Sequence, residues 1–411
     1  MPEPPDRRRL LLGFVTINLI TGTAAGVLQM VVPLYALSLN ASNAQIGLIK
    51  GVNGLGFLLL VIPAGFLVDR FGSKRLYLAG SISCNLVALA VSLAAKPVAL
   101  MLLMGGYGFF RSLSFIATNA AFFRSLKTIG AERVGWLNGS LTLGFSFVGP
   151  LLGGYLANCV DFSRIVQMVA VLMPIPILLV LFHYRETPRA TASAAKSRDI
   201  GSQLREFGAL LRNRSIYRVL LAEGLGGACS GTFGVFIIVI VVRTLHLAPT
   251  VASTLLTLQG AFFIMAVFFA GPLVKRLSTP NLYLTSFAAA SLGLIGLSGA
   301  GDLLVMGLAS VLLGLGLGLN QLLNYSRIGE IPGEKGKITS LLATAGSLGL
   351  AVGPLAAGKV GEHFGNQLIF AFFVPFFLLL GLMTLCSQWR KRGATPGTVR
   401  ELDALKEGGQ R

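Results

Sequence analysis

Long apolar segments recur along the whole chain, and they limit most strongly what it can fold into. A helix that crosses a bilayer needs about 20 mostly apolar residues, and the 411-residue sequence supplies such stretches one after another. Only 12% of the residues are charged, whereas a soluble domain carries about 25%. Twelve spans are predicted, at 10–38, 44–68, 76–95, 98–123, 135–158, 163–183, 216–242, 251–274, 281–300, 303–326, 338–360 and 366–389. The chain is therefore expected to be an all-α membrane protein without a soluble domain.

The positive charge is distributed unevenly between the two ends of the predicted spans. The net charge of +18 comes from 34 Lys and Arg against 16 Asp and Glu. With twelve spans, 28 of the 34 fall on the side of the termini, four on the opposite side, and two, Lys50 and Arg111, inside spans. Loops rich in Lys and Arg stay in the cytoplasm, so both termini are expected there, in a bacterial-type inner membrane. Cations interleaved with apolar spans also argue against a nucleic-acid partner.

The two halves of the sequence resemble each other. Residues 64–78 recur as 270–284 with eight of fifteen positions identical, and Gly149-Pro150 returns as Gly353-Pro354. Such a repeat predicts two pseudo-symmetric six-helix bundles, the architecture of many secondary transporters. The expected domains are an N-terminal bundle over 1–183, a basic cytoplasmic linker over 184–215, a C-terminal bundle over 216–390 and a cytoplasmic tail over 391–411.

The loop between spans 2 and 3 carries a motif whose defining positions are Gly65, Asp69, Arg70, Gly72, Lys74 and Arg75. It resembles the signature of the major facilitator superfamily, and with the span count and the repeat this resemblance covers nearly the whole chain. The resemblance implies a twelve-helix transporter in which the motif acts as a gate. Asp69 would accept charge-assisted hydrogen bonds from the start of span 11 or from the loop that holds Glu132 and Arg133. Alternatively, the cations of the motif only fix the topology.

Span 5 contains a second motif, Gly-Pro-x-x-Gly-Gly, formed by Gly149, Pro150, Gly153 and Gly154. It resembles an element of superfamily exporters of the drug:proton antiporter type, so it implies export. Small residues let membrane helices pack tightly, and Pro removes a backbone hydrogen bond and kinks the helix. Span 11 keeps Gly353 and Pro354. The alternative is that these residues serve only general helix packing.

Charged side chains inside a membrane are costly and are candidate functional groups by default. Arg111 lies near the middle of span 4 and is expected to share a helical face with Tyr107, Ser114 and Thr118. It is a candidate for binding an anionic group or for proton coupling; alternatively, it pairs with backbone carbonyl groups. Lys50, in the outer third of span 2, favours an anion as well, unless it reaches the membrane interface by snorkelling.

Glu223 is the one acidic residue well inside any predicted span. A medium of low dielectric favours the neutral form of a carboxyl group, which can then carry a proton. Glu223 is therefore a candidate for proton coupling. The alternative is that it lies at the cytoplasmic interface and pairs with Arg218, just over one helical turn away.

The remaining candidates for substrate contacts are neutral: Asn18 and Gln29 in span 1, and Asn320 and Asn324 in span 10. The resemblance implies that spans 1, 4, 7 and 10 line a central cavity, and the polar residues of the sequence concentrate in those spans. Alternatively, the amide side chains join helices to one another through hydrogen bonds.

These patterns predict a secondary transporter that works by alternating access, with a proton-coupled exporter of small organic molecules as the leading hypothesis. The alternative is uptake or exchange of a small organic anion, which Arg111, Lys50 and the scarcity of acids favour. A more remote alternative is a non-transporting membrane sensor.

The expected energy source is the proton gradient, because the sequence has no nucleotide-binding motif of the Gly-x-x-x-x-Gly-Lys-Ser/Thr type. No cofactor, no metal and no catalytic residue is expected, since the three His are scattered near span ends. The expected partners are the lipid bilayer and a small-molecule substrate, and the chain is expected to be a monomer.

Overall fold

The computed structural model describes residues 5–129, 134–183, 214–299, 301–330 and 335–393, and this part of the chain is helical. Each apolar segment forms a helix because a helix satisfies its own backbone groups where no water is present. We number the membrane helices of the described residues as α1 Pro5–Ser38, α2 Asn43–Phe71, α3 Ser73–Val91, α4 Pro97–Ile129, α5 Val134–Leu143 with Gly144–Val148 and Gly149–Cys159, α6 Phe162–Leu172 with Pro174–His183, α7 Arg214–Val239 with Ile240–Thr244, α8 Pro249–Phe269 with Gly271–Arg276, α9 Thr279–Gly299, α10 Leu303–Glu330, α11 Lys335–Phe364 and α12 Leu368–Ala371 with Val374–Gly393.

Ten helical segments of the described residues are long and apolar enough to cross a membrane. The other two helices, α2 and α3, are packed among these segments. Both contact α4, and α2 also contacts α11. The predicted all-α fold of twelve membrane helices in two six-helix bundles is confirmed. Most of the predicted linker and tail lies outside the described residues, so the domain limits stay a prediction.

Burial separates central helices from peripheral ones. Residues 233–241 of α7 are buried on every side, as expected for a helix at the centre of a bundle. The peripheral helices α3, α6, α9 and α12 instead expose large apolar side chains, among them Leu86, Phe182, Leu292 and Leu378. These four helices therefore contribute a large part of the surface that faces lipid.

A single residue, Gly72, joins α2 to α3 and shows why the loop motif contains a glycine. Gly72 has φ 87° and ψ 156°, a conformation that glycine adopts without steric penalty. Its N–H donates to Val68 O at 2.9 Å, and its carbonyl accepts from the Leu76 N–H at 3.3 Å. We call the side of the bundle that holds this connection the basic side, and the side that holds residues 39–42 and 365–367 the outer side.

Glycines bring α1 and α5 into direct backbone contact. A Cβ added to Gly149 would lie 2.6 Å from both the carbonyl oxygen of Thr23 and the Cα of Gly26, and Gly153 packs on Met30. The turn before Gly149 is a π turn over 144–148. Pro150, which follows it, has no N–H to donate. The glycines of the span 5 motif thus fix how closely α5 approaches α1.

The second half repeats this packing and extends it to the interface between the halves. Gly349 and Gly353 of α11 meet the backbone of α7 at Gly224 and Ala228. On its other side, α11 meets α2, where Gly47 lies against the carbonyl group of Pro354. The equivalent contact of α5 is with α8. The two halves therefore pack on each other through two equivalent contacts, α2 with α11 and α5 with α8.

Hydrogen bonds between the halves close the outer side. The carboxylate of Glu362 in α11 accepts from Ser42 Oγ and from the Ala44 N–H at the start of α2, both at 3.1 Å. Beside them, Asn43 Nδ2 donates to Asn366 Oδ1 at 2.6 Å. We call these five residues the outer latch. They hold the outer end of α2 to the outer end of α11.

Replacing Gly149 with Leu should destabilise the protein, because the new side chain would meet backbone atoms of α1. Overpacking of this kind costs about 1–3 kcal/mol. The measurement is the midpoint of thermal unfolding of detergent-purified protein, followed by fluorescence-detected size-exclusion chromatography. Gly299→Leu is the control, since a Cβ at Gly299 has nothing within 4 Å. Equal midpoints for the two variants would contradict the role given to Gly149.

Candidate functional site

A small pocket lies between the halves, enclosed by α1, α2, α4, α5 and α7. Its volume is about 40 Å³, which holds water but not an organic molecule. The polar side chains that line it are Lys50, Arg111, Tyr107, Gln29 and Asn53. Helices must therefore move apart before this pocket can admit a solute.

Two cations share this pocket. Lys50 of α2 and Arg111 of α4 both line it, and the charge of Arg111 acts on Lys50. The Arg111 guanidinium carbon lies 6.0 Å from the centre of the Phe145 ring. No acidic side chain is among the described residues that line the pocket. The pocket thus has the positive potential that attracts an anion, and Lys50 lies inside it rather than at the membrane interface.

The helical face predicted around Arg111 is divided between two environments. Tyr107 is buried and lines the pocket with Arg111. Ser114 is buried against α3, where its hydroxyl accepts from Ser81 Oγ at 3.0 Å. Thr118 donates to Ser114 O at 2.8 Å and does not line this pocket. Ser114 and Thr118 are therefore separated from the two cations, because this part of α4 packs against α3.

Glu223 lies in the C-terminal half and belongs to a chain of hydrogen bonds. Asn324 Nδ2 donates to Glu223 Oε2 at 2.7 Å, and the Tyr283 hydroxyl donates to Asn324 Oδ1 at 2.9 Å. Among the described residues Glu223 forms no ion pair with Arg218. The carboxyl group is half-buried, so it is placed where a proton can be held between helices α7 and α10.

The carboxyl group and the cations lie at different depths. Val235 of α7 lines the pocket, and Glu223 lies twelve residues before it in the same helix. At a rise of 1.5 Å per residue, this corresponds to about 18 Å towards the basic side. Glu223 therefore cannot neutralise Lys50 or Arg111 directly in this conformation.

The neutral candidates are also dispersed. Gln29 lines the pocket, and its amide nitrogen reaches Gly234 of α7. Asn18 is buried elsewhere in α1 and does not line the pocket. Asn320 Nδ2 donates to Ala222 O at 3.0 Å, while its buried Oδ1 has no hydrogen-bond partner in the described part of the chain. Because that oxygen is buried and Asn320 does not line the pocket, a solute cannot reach it in this conformation.

The gating motif is described only in part. The surroundings of Gly65, the side chain of Asp69, and the loop residues Glu132 and Arg133 lie outside what the structure describes. The Lys74 ammonium donates to Leu181 O at 2.7 Å. The Arg70 guanidinium carbon lies 5.3 Å from the centre of the Phe71 ring, and Arg75 is exposed. The gating role of the motif stays a prediction.

Two residues of the site were missed by sequence reasoning. Asn53 lines the pocket and donates to Met104 O at 2.8 Å. It lies one helical turn from Lys50, so i,i+3 spacing could have identified it. Tyr283 donates to Asn324, the partner of Glu223. Its position in the repeated segment 270–284 was a weaker indication of a functional role than the spacing of Asn53.

Comparisons with known proteins agree on one family. The family model described as Major Facilitator Superfamily matches residues 14–242 and 219–403. The chain is 24% identical over 370 residues to the multidrug resistance protein MdtG of Klebsiella pneumoniae. The matched region covers 85% of this chain and 86% of that protein. It is also 21% identical to the multi-drug resistance efflux pump PmrA homolog of Lactococcus lactis. That match covers 83% of this chain and 85% of the relative.

A comparison of structures gives the same fold. The crystal structure of the nucleoside transporter NupG superimposes with a TM-score of 0.75 and covers 93% of this chain and 99% of that one. The sequence identity is 15%, so this likeness concerns the fold alone.

Lys50→Met should stabilise the ligand-free protein, because it removes one of two like charges that share the pocket. The gain is expected to be on the order of 1 kcal/mol, and the measurement is the midpoint of thermal unfolding in detergent. Lys359→Met, on the exposed outer part of α11, is the control and should change the midpoint little. A fall in the midpoint of Lys50→Met would show that the two cations do not repel each other significantly.

Proposed function

Because the chain belongs to the Major Facilitator Superfamily and is a membrane transporter, we propose that it exports small organic molecules that carry a negative charge. In this proposal transport follows alternating access and is driven by the proton gradient. The observation that carries the proposal is the pocket between the halves, in which Lys50 and Arg111 lie without an acidic side chain among the described residues that line it.

Lys50 and Arg111 are the groups proposed to bind the anionic part of the solute. Charge-assisted hydrogen bonds to a carboxylate or sulfonate are roughly twice as strong as neutral ones, and an anion would also relieve the repulsion between the two cations. Tyr107, Gln29 and Asn53 would contact the rest of the solute. Since α7 also lines the pocket, a bound solute would touch both halves and could bias the equilibrium between their arrangements.

Export is supported by two observations. Gly149, Pro150, Gly153 and Gly154 form the motif that resembles an element of superfamily exporters, and these glycines pack directly on neighbouring helices. The relatives that match most of the chain are named as multidrug resistance proteins and an efflux pump. Uptake or exchange of a small organic anion is the second candidate, because the same two cations would serve it equally well.

Glu223 is the proposed proton carrier. Its carboxylate accepts a hydrogen bond from Asn324, and protonation would remove the charge that strengthens this bond. The contact between α7 and α10 would then differ between the two protonation states. Such a difference is what a proton needs in order to shift a conformational equilibrium.

We propose that the basic side of the bundle faces the cytoplasm and that the protein works as a monomer in the inner membrane. The distribution of Lys and Arg in the sequence supports this orientation. No cofactor takes part in the proposed mechanism.

Arg111→Ala should weaken the binding of organic anions about tenfold or more, since a hydrogen bond to a charged group contributes about 1.5–3 kcal/mol. The measurement is thermal stabilisation of purified protein by salicylate and benzenesulfonate, with the cation tetraphenylphosphonium for comparison. Arg164→Ala is the control, because Arg164 lies exposed on the outer side beside Asp161. If the anions stabilise the Arg111 variant as well as the native protein, the proposed anion site is wrong.

Glu223→Gln should abolish solute accumulation driven by a pH gradient and leave solute counterflow in place, because Gln keeps the shape of the side chain but cannot titrate. The measurement is uptake of radiolabelled anion into inverted vesicles, with and without an imposed gradient. Asp302→Asn, a matched change of an exposed acid on the outer side, should retain both activities. Gradient-driven accumulation by the Glu223 variant would exclude this carboxyl group as the proton carrier, whereas accumulation only in right-side-out vesicles would favour the uptake hypothesis.

A further inference from the structure

A second and larger cavity lies within the N-terminal half, at its basic side. Its volume is about 600 Å³, and α1, α3, α4 and α6 enclose it. This is within the range of pockets that bind ligands, about 300–1,000 Å³. Small residues create the space, since Gly13 lies on the α1 wall and Ala117 and Ala121 lie on the α4 wall. A Cβ added to Gly13 would have nothing within 4 Å.

The cavity has an apolar rim and a basic mouth. Leu12 of α1 and Phe182 of α6 line it and are 62% and 73% exposed, so the rim opens towards lipid. Arg9 and Lys74 lie at the end of the cavity on the basic side. Lys74 uses one donor on Leu181 O, and an ammonium group has three. No acidic side chain is among the described residues that line the cavity.

The C-terminal half has an equivalent cavity that is much smaller. It lies between α7, α9, α10 and α12 and has a volume of about 90 Å³. Gly13 and Ala121 of the first cavity correspond, 206 residues later, to Val219 and Arg327 of the second. Larger side chains therefore reduce the volume of the second copy, from about 600 Å³ to about 90 Å³.

We infer that the cavity of the N-terminal half binds an acidic phospholipid from the leaflet on the basic side. One acyl chain enters past Leu12 and Phe182 and runs along Gly13 and the small residues of α4. The headgroup phosphate lies between the cations Arg9 and Lys74 at the mouth. Basic pockets between membrane helices on the cytoplasmic side are suited to anionic headgroups, and an acyl chain matches the apolar walls better than water does.

The preference of the site for a negatively charged headgroup can be tested by native mass spectrometry of the purified protein. The probes are palmitoyl-oleoyl phosphatidylglycerol, the phosphatidylcholine with the same acyl chains, and glycerol phosphate. A cation near the membrane surface contributes about a fivefold preference for an anionic lipid. The Arg9→Gln, Lys74→Gln double variant should therefore lose most of a preference of roughly 25-fold for phosphatidylglycerol. Arg218→Gln, in the smaller C-terminal cavity, should keep that preference.

The acyl-chain site can be tested separately by filling the cavity. Gly13→Leu should weaken the binding of both lipids about tenfold or more, because the new side chain occupies the space beside α4. Gly271→Leu, where an added Cβ also has nothing within 4 Å, should bind lipid as the native protein does. Unchanged lipid binding in Gly13→Leu and in the double variant would overturn the inference. Glycerol phosphate binding as tightly as phosphatidylglycerol would overturn it as well, since the site would then be one for free phosphate.

Discussion

Close approach of helix backbones at small residues is the constraint on which the rest of this structure depends. Apolar side chains gain little by leaving lipid for another helix, so membrane helices associate through van der Waals contact and hydrogen bonds. Gly26 against Gly149 joins α1 to α5, and Gly224 against Gly349 joins α7 to α11. These contacts fix the rotation of each helix about its own axis. They therefore decide which side chains face the pocket and which face lipid.

Most of the fold could be predicted because hydropathy and charge leave few choices for a chain of this composition. The repeat at 64–78 and 270–284 could be recognised because both copies span equivalent connections, from α2 to α3 and from α8 to α9. Apart from the kink expected at Pro150, the interruptions inside helices were not predicted. The break of α6 at Met173, just before Pro174, and the π turn over 144–148 depend on individual backbone hydrogen bonds, which an average over twenty residues does not register.

The candidate site was predictable within a helix but not between helices. Spacing along α4 predicted that Tyr107 and Arg111 share a helical face, and both side chains line one pocket. The same spacing included Ser114, but its hydroxyl accepts a hydrogen bond from Ser81 of α3 and does not line the pocket. Glu223 and Asn324 are partners on helices α7 and α10, a relation that depends on how the helices are arranged in three dimensions. No regular spacing in the sequence records that arrangement.

The outer latch leaves the start of α2 able to separate from α11 without unwinding. Ser42 and Gln45 form a capping box, in which each side chain accepts from the backbone N–H of the other. When Glu362 departs, the Ala44 N–H loses its acceptor at a surface where water can replace it, and the capping box remains. The first turn of α2 thus keeps its shape whether or not the halves touch. If the halves separate at this edge, the capping box lets them part as rigid bodies, with hydration of both surfaces and no local melting of the helix.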